Sequence, residues 1–216
     1  HAACGGILQS GVRCHACGHE SVTLEPFLDL SIGTAPTLER ALDRFTAPDK
    51  LDGNNMYHCE SCRRKVVASK RLNIRTAPNS LTIHLKRFDG YRKDRSDVRY
   101  PSTLNIAPYM IRPSNRPAAT SKRASPSSPP IMYQLVGVLV HDGPGTRSGH
   151  YYSYVKGSNG TWCLKNDSSS STVAESRALR QQAYILFYSR EPDPILAPVE
   201  AGVALRRAAV IPAKAA

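Results

Sequence analysis

The sequence lacks any long apolar run and any recognisable leader. No stretch of about 18 consecutive apolar residues occurs, which excludes a membrane-spanning helix. The chain opens on His1, without an initiator methionine and without the charged and apolar regions of a signal peptide. We therefore expect the middle and end of a longer protein that has no membrane partner.

Acidic residues are scarce relative to basic ones. The 216 residues include 17 Asp and Glu against 29 Lys and Arg, a formal net charge of +12. Such a balance favours anionic partners, either nucleic acid or an acidic protein face. A solvated basic surface is the alternative, and the charge alone leaves nucleic-acid binding open.

The six cysteines do not have the spacing of a disulfide framework. Four of them form two Cys-x-x-Cys pairs, while Cys4 and Cys163 stand alone. This distribution is typical of a reducing compartment and a metal site. We predict an intracellular protein, located in the nucleus or nucleolus, in the cytoplasm, or in both.

The paired cysteines predict a metal site made of Cys14, Cys17, Cys59 and Cys62. Each short spacing lets both sulfurs of a pair face one ion, and four thiolates complete the tetrahedral shell of a structural zinc. A redox Cys-x-x-Cys and a site that has lost its metal are the alternatives. One structural zinc ion is the predicted cofactor.

A predicted hairpin carries the most informative residues of the chain. Residues 151–155 alternate and are rich in aromatic and β-branched types, 156–160 are turn formers, and 161–164 form a returning strand. This hairpin brings Asn166 and Asp167 back towards His150. An imidazole accepts a thiol proton only when an acceptor holds its other nitrogen. Asn166 fits that role, with Asp167 as an additional carboxylate or a substitute acceptor.

No cysteine of the chain fits the matching nucleophile. Cys4 precedes two glycines instead of a helix-forming run, and strand alternation points Cys163 away from His150. We therefore expect the nucleophile upstream of His1 and an inactive fragment. A polar histidine of the surface is the alternative reading of His150.

The residues from Gly149 to Tyr151, with the Asn-Asp pair after Trp162, resemble the histidine box of the ubiquitin-specific proteases. These papain-like cysteine peptidases cut the bond after the C-terminal glycine of ubiquitin. The paired cysteines resemble the zinc site of that family. Further matching stretches are 26–30, 51–53, 85–88, 100–101 and 181–188, so the resemblance runs over about residues 5–190.

The resemblance implies an α+β fold, namely a papain-like palm sheet with a zinc-bearing β-ribbon fingers subdomain. It implies that residues 1–190 are a partial catalytic domain of a deubiquitinase, with ubiquitin and ubiquitinated proteins as partners. It also implies that Asp29 pairs with an arginine of the ubiquitin tail. Phe88 and Tyr151 would wall a narrow channel for Gly-Gly.

Two other functions are compatible with the sequence. One is a catalytically inactive zinc-bearing scaffold that binds ubiquitin, and the other is a basic zinc ribbon that binds nucleic acid. The second leaves the segment around His150 unexplained and lacks interleaved aromatic residues near the cysteine pairs.

Local patterns predict several elements. Thr37 is a predicted N-cap of a helix that ends at Phe45, residues 22–32 are extended, and 81–88 and 133–140 alternate as strands. Segments 88–100 and 141–149 are predicted loops that close over the ubiquitin tail. Residues 111–130 are predicted to be a mobile insertion, and 191–216 an Ala- and Pro-rich linker.

Overall fold

The computed structural model describes residues 3–90, 92–111, 129–145 and 147–192. The predicted insertion and linker lie largely outside these ranges. In the described part, no helix is long and apolar enough to cross a membrane. The elements in chain order are β1 Gly6–Cys14, β2 Glu20–Phe27, β3 Asp29–Gly33, α1 Leu38–Phe45, β4 Asp49–Leu51, a 3-10 turn Gly53–Asn55, β5 Tyr57–Cys59, β6 Arg64–Val66, β7 Ala68–Thr76, β8 Ser80–Lys86, β9 Phe88–Asp89, β10 Arg92–Lys93, β11 Thr103–Asn105, a 3-10 turn Ala107–Tyr109, β12 Met132–Gly145, β13 Ser148–Lys156, β14 Trp162–Asn166, β15 Ser169–Val173, α2 Glu175–Leu179 and β16 Ala183–Arg190.

The predicted helix is confirmed, including its cap. The side chain of Thr37 accepts a hydrogen bond from the backbone N–H of Arg40, which satisfies one of the free donors at the start of α1. Leu38, Ala41 and Leu42 form the buried face of the helix. The extended segment 22–32 is also confirmed, as two strands that meet at the exposed residue Leu28.

An eight-stranded sheet forms the larger part of the described structure. Its order is β15-β14-β13-β12-β16-β8-β3, and β11 also pairs with the first residues of β12. Only the β3–β8 pair is parallel. The main hydrophobic cluster lies on this sheet and includes Leu135, Val138, Leu186 and Tyr188, all at most 1% exposed. We call this sheet the palm sheet.

The predicted strands at 81–88 and 133–140 are confirmed within the palm sheet. The prediction of a loop over 141–149 is wrong, because residues 141–145 and 148–149 belong to strands. β12 continues to Gly145 and β13 begins at Ser148, and the two pair from Gly137 opposite Val155 to Gly145 opposite Ser148. The turn formers of this segment are accommodated by a register shift between Asp142 and Gly145.

A second sheet and a short hairpin carry the cysteine pairs. The sheet has the order β2-β1-β7-β4, and the hairpin is formed by β5 and β6. Besides the sulfurs, the apolar cluster here contains only Val66 as a buried residue and Tyr57 packed against it. We call this part, β1, β2 and β4 to β7, the fingers region.

Candidate active site and metal centre

A tight hairpin brings His150 and Asn166 together. β13 pairs with β14 from Ser153 opposite Lys165 to Lys156 opposite Trp162. The backbone N–H of Gly157 donates to the carbonyl of Thr161, and Gly160 adopts a φ of 79°, which only glycine adopts without strain. The predicted strand, turn and returning strand are therefore confirmed.

The side chains of His150 and Asn166 are in hydrogen-bond contact. Nε2 of His150 lies 2.5 Å from Oδ1 of Asn166. Because an amide oxygen only accepts, Nε2 carries the proton, and Nδ1 is the ring nitrogen that can take up another. Oδ2 of Asp167 lies 3.8 Å from Nε2, which is too far for a hydrogen bond.

The histidine lies on one face of the palm sheet with other polar side chains. The ring of Tyr152 stacks on that of His150 with centroids 6.4 Å apart. Beside them is a pocket of about 310 Å³, lined by Tyr152, Tyr154, Leu164, Asn166, Arg177 and Gln181. Burial raises the pKa of Tyr152 above its ordinary value, so this phenol stays neutral and donates to Oε1 of Gln181.

Cys163 and the four paired cysteines are not placed to serve His150. Cys163 pairs with Val155 across the hairpin, whereas Tyr154 pairs with Leu164, which lines the pocket. Because side chains alternate along a strand, Cys163 is on the opposite face from His150. Four other cysteines form a separate cluster.

Phe88 and Tyr151 lie in one aromatic cluster. Between them are His141, whose ring centroid is 5.5 Å from that of Phe88 and 4.7 Å from that of Tyr151, and Tyr184, 5.8 Å from Phe88. Asp29 pairs with Thr82 of β8. Its charge acts on His84, whose ring packs on Tyr184.

His141 and Tyr184 were missed in the sequence. The signal for His141 was present, since continuing the alternation of β12 by one residue places a histidine directly opposite Tyr151. Burial is the main cause that lowers the pKa of His141, with Lys93 adding to it, so the ring is neutral near neutral pH. Tyr184 lies in the matching stretch 181–188, but nothing in that stretch marked it as a site residue.

The four paired cysteines lie at one point of the fingers region. The Sγ atoms of Cys14 and Cys62 are 3.9 Å apart, those of Cys17 and Cys59 are 3.7 Å apart, and all four lie within 4.8 Å of one another. A tetrahedral zinc with Zn–S bonds of about 2.3 Å requires sulfurs roughly 3.8 Å apart. The donor set therefore fits such an ion.

The backbone prepares these sulfurs as ligands. The N–H groups of Ala16 and Cys17 point at Sγ of Cys14, and that of Cys62 points at Sγ of Cys59. A hydrogen bond from the backbone of His19 lowers the pKa of Cys17 to about 6, whereas hydrogen bonding with Cys17 raises the pKa of Cys62 to about 12. All six cysteines are free thiols.

Comparison with solved structures identifies the class of fold. The chain matches a structure of the SAGA Ubp8/Sgf11/Sus1/Sgf73 DUB module bound to ubiquitin aldehyde with a TM-score of 0.76 and 32% identity, over 89% of this chain and 42% of that one. Another structure of the module, bound to monoubiquitin, matches with a TM-score of 0.75. The fold is that of a papain-like cysteine peptidase.

The family follows from sequence comparison. The family model of ubiquitin carboxyl-terminal hydrolase matches residues 1–188. The chain is 43% identical over 193 residues to human ubiquitin carboxyl-terminal hydrolase 42 and 40% identical over 196 residues to the probable ubiquitin carboxyl-terminal hydrolase 16 of Schizosaccharomyces pombe. This protein belongs to the ubiquitin carboxyl-terminal hydrolase family, which confirms the resemblance. Both matches span 88% of this chain but only 14% and 40% of the length of these two relatives.

Proposed function

We propose that this chain is the histidine-bearing part of the catalytic domain of a cysteine-type deubiquitinase. The contact between His150 and Asn166 is the observation that carries the proposal, because it leaves Nδ1 available to a thiol. The nucleophilic cysteine is proposed to lie upstream of His1, and the chain alone is proposed to be inactive.

The proposed reaction uses His150 twice. A thiol gives its proton to Nδ1, and the thiolate attacks the carbonyl carbon of the last glycine of ubiquitin. The C–N bond breaks, the amine leaves with the proton of the imidazolium, and ubiquitin remains as a thioester. Water then loses a proton to Nδ1 and attacks the thioester, which releases ubiquitin as a carboxylic acid and restores the thiol.

The neighbours of His150 support different parts of this reaction. Asn166 holds the ring in the tautomer that has its proton on Nε2. Asp167, at 3.8 Å and exposed, adds a favourable charge only when the ring is protonated. Phe88 and Tyr151 are proposed walls of the channel for the ubiquitin tail. Asp29 is proposed to pair with an arginine of the tail.

The sulfurs of Cys14, Cys17, Cys59 and Cys62 would hold a zinc ion. When bound, the ion supplies a structural tie between β1 and the β5–β6 hairpin. The strands of the fingers region would then present a fixed surface to the body of ubiquitin. An intracellular location, nuclear or cytoplasmic, agrees with free thiols and is proposed on that basis.

The test is to express the chain with its upstream sequence and react it with a ubiquitin that carries a C-terminal electrophile. We expect one covalent adduct, lost in His150→Ala and kept in His58→Ala, a control at an exposed histidine of β5. An extended protein that binds ubiquitin but forms no adduct would support the inactive scaffold. Equal labelling of the two histidine variants would contradict the proposal for His150.

A further inference from the structure

The backbone just before His150 rests on a buried imidazole of the neighbouring strand. A side-chain carbon added at Gly149 would collide with Nε2 of His141 and would lie 2.8 Å from the carbonyl oxygen of Asp142. His141 itself is only 4% exposed. The space that glycine leaves at position 149 is therefore filled by the ring of His141.

A bulge brings the two strands into this contact. Asp142 pairs with His150 and Gly145 with Ser148, so two residues of β12 face Gly149 alone. A side-chain carbon at Gly143, in the bulge, would lie 2.6 Å from Cα of Gly149. Bulges bend a strand, redirect its side chains and are frequent beside active sites. Along β13, this bulge directly precedes the pair formed by Asp142 and His150.

The ring of His141 is itself fixed from several sides. It packs on Tyr151 and Phe88 at centroid distances of 4.7 and 5.5 Å. Nζ of Lys93, on the short hairpin that carries Phe88, donates to the carbonyl oxygen of His141 at 2.5 Å. Nδ1 of His141 is buried and has no hydrogen-bond partner within the described residues. Because an unpaired buried nitrogen is destabilising, packing alone does not account for a histidine here.

Strand alternation places the two histidines on opposite faces of the palm sheet. His141 pairs with Tyr151, and Asp142 pairs with His150. His141 therefore contacts the backbone at Gly149 from the face opposite to the His150 side chain. A ring in this position limits the movement of the Gly149 backbone without touching the reacting atoms.

We propose that His141 is a positioning residue for His150: its ring supports the backbone at Gly149 and thereby keeps Nε2 of His150 in contact with Asn166. This inference rests on the proposed function. It differs from a role in binding the ubiquitin tail, because it predicts an effect on the state of the His150 ring without substrate.

The experiment compares His141→Ala with His84→Ala. His84 is a matched control, since it is also a histidine of the palm sheet that packs on Tyr184, and it bonds to Ser31 away from Gly149. In the protein extended upstream, we expect His141→Ala to lower kcat by about 10-fold to 100-fold with KM for a ubiquitin-linked fluorogenic substrate nearly unchanged. His84→Ala should keep kcat within about threefold of the parent, because substitutions away from the site change stability more than chemistry.

A second readout needs no activity. Long-range 1H–15N correlation spectra of the chain report which nitrogen of His150 is protonated, and we expect Nε2–H in the parent and in His84→Ala. His141→Ala should give a mixture of both tautomers. If His141→Ala does not fold, His141→Gln is measured instead, because its amide reaches the position of Nε2 but does not fill the space of a ring.

A double variant tests whether the contact with Gly149 carries the effect. Gly149→Ala should lose activity because of the collision with the ring and because a φ of 155° strains any side chain there. The double variant His141→Ala/Gly149→Ala should recover part of this loss, since it removes the collision but not the strain. An inactive parent with the expected tautomer change would contradict the proposed function but not the positioning role. An unchanged tautomer, or a kcat of His141→Ala equal to that of His84→Ala, would overturn the positioning role.

Discussion

The palm sheet and the fingers region are stabilised by different means. In the palm sheet, β12 pairs with three neighbours, and Leu135, Val138 and Leu186 bury their side chains almost completely. In the fingers region, the apolar cluster at the sulfurs contains Cys14, Cys59 and Val66 as its buried residues. Burial of apolar surface stabilises the first, whereas a metal ion held by the four sulfurs would be the main tie in the second.

This difference separates chemistry from substrate grip. The residues proposed for proton transfer are built into the sheet that has the large core, so their geometry does not require a metal. The proposed ubiquitin-gripping surface is on strands that have little core of their own. Changes at His150 and Asn166 should therefore act on kcat, and changes at the sulfurs should act on KM.

The largest effect on the palm side is expected for Asn166→Ala. Loss of the acceptor for Nε2 frees the ring to adopt the wrong tautomer, and kcat of the upstream-extended protein should fall by about 10²-fold or more. Steady-state hydrolysis of a ubiquitin-linked fluorophore measures this. Asn166→Asp, which keeps an acceptor, is the matched control, and equal activity of Asn166→Ala and the parent would exclude the proposed role.

Cys59→Ser should affect the fingers region and spare the palm sheet. Removing one of four ligands weakens the zinc site, so backbone amides of β5 and β6 should lose hydrogen-exchange protection, while those of β12 keep theirs. KM should rise by about 10-fold with little change in kcat. Cys163→Ser, a free thiol outside the cluster, is the control. A fall in kcat without a change in KM would contradict the separation of the two regions.

Acid should destabilise the palm sheet through half-buried His84 and buried His141. Burial lowers the pKa of His84 and of His141 below the ordinary value of 6.5. Between the folded and unfolded pKa values the unfolded chain binds more protons, so this contribution is present above pH 6.5 and is lost as the pH falls.

Urea unfolding of the palm sheet from pH 7.5 to 5.5, followed by the fluorescence of Trp162, measures this effect. Each group contributes at most about 1.4 kcal/mol per pH unit. The variant His84→Gln should flatten the dependence, and His58→Ala, at an exposed histidine, should not. A dependence that is the same in all three proteins would contradict the assignment.

The smallest effect is expected for Asp167→Asn. Its carboxylate lies 3.8 Å from Nε2 and is 78% exposed, so its interaction with the imidazolium is screened by water. We expect kcat to fall by no more than about threefold, and the loss to shrink further at high salt. A loss comparable to that of Asn166→Ala would make Asp167 the orienting residue instead.

Several features of this fold and site were readable in the sequence because they depend on neighbours along the chain. The cap of α1 at Thr37 needs only the N–H three residues later. The hairpin that joins His150 to Asn166 follows from alternation and a glycine-rich turn. The cysteine pairs predict their site directly, since each pair has the spacing that one metal ion requires.

Other features depend on residues far apart in the chain. Local alternation gave no reason to bury Arg87, yet it is 1% exposed, with Nε donating to the carbonyl of Ala183 at 2.6 Å and Nη1 to that of Ser96 at 2.8 Å. The sequence also left Asn166 and Asp167 as alternatives. The structure places the amide oxygen of Asn166 in contact with His150, whereas Asp167, with a φ of 48°, keeps its carboxylate beyond hydrogen-bond reach.

The sequence by itself thus determined the metal-binding cysteines, the hydrogen-bonding groups of His150 and Asn166, and the local hairpins. Residue type and spacing along the chain are enough to set these features. Only the tertiary structure decided that His141 lies under Gly149 and that Tyr184 closes the aromatic cluster with Phe88. These contacts join strands separated by many residues, and their geometry follows from sheet register and a bulge, which no local pattern of side chains specifies.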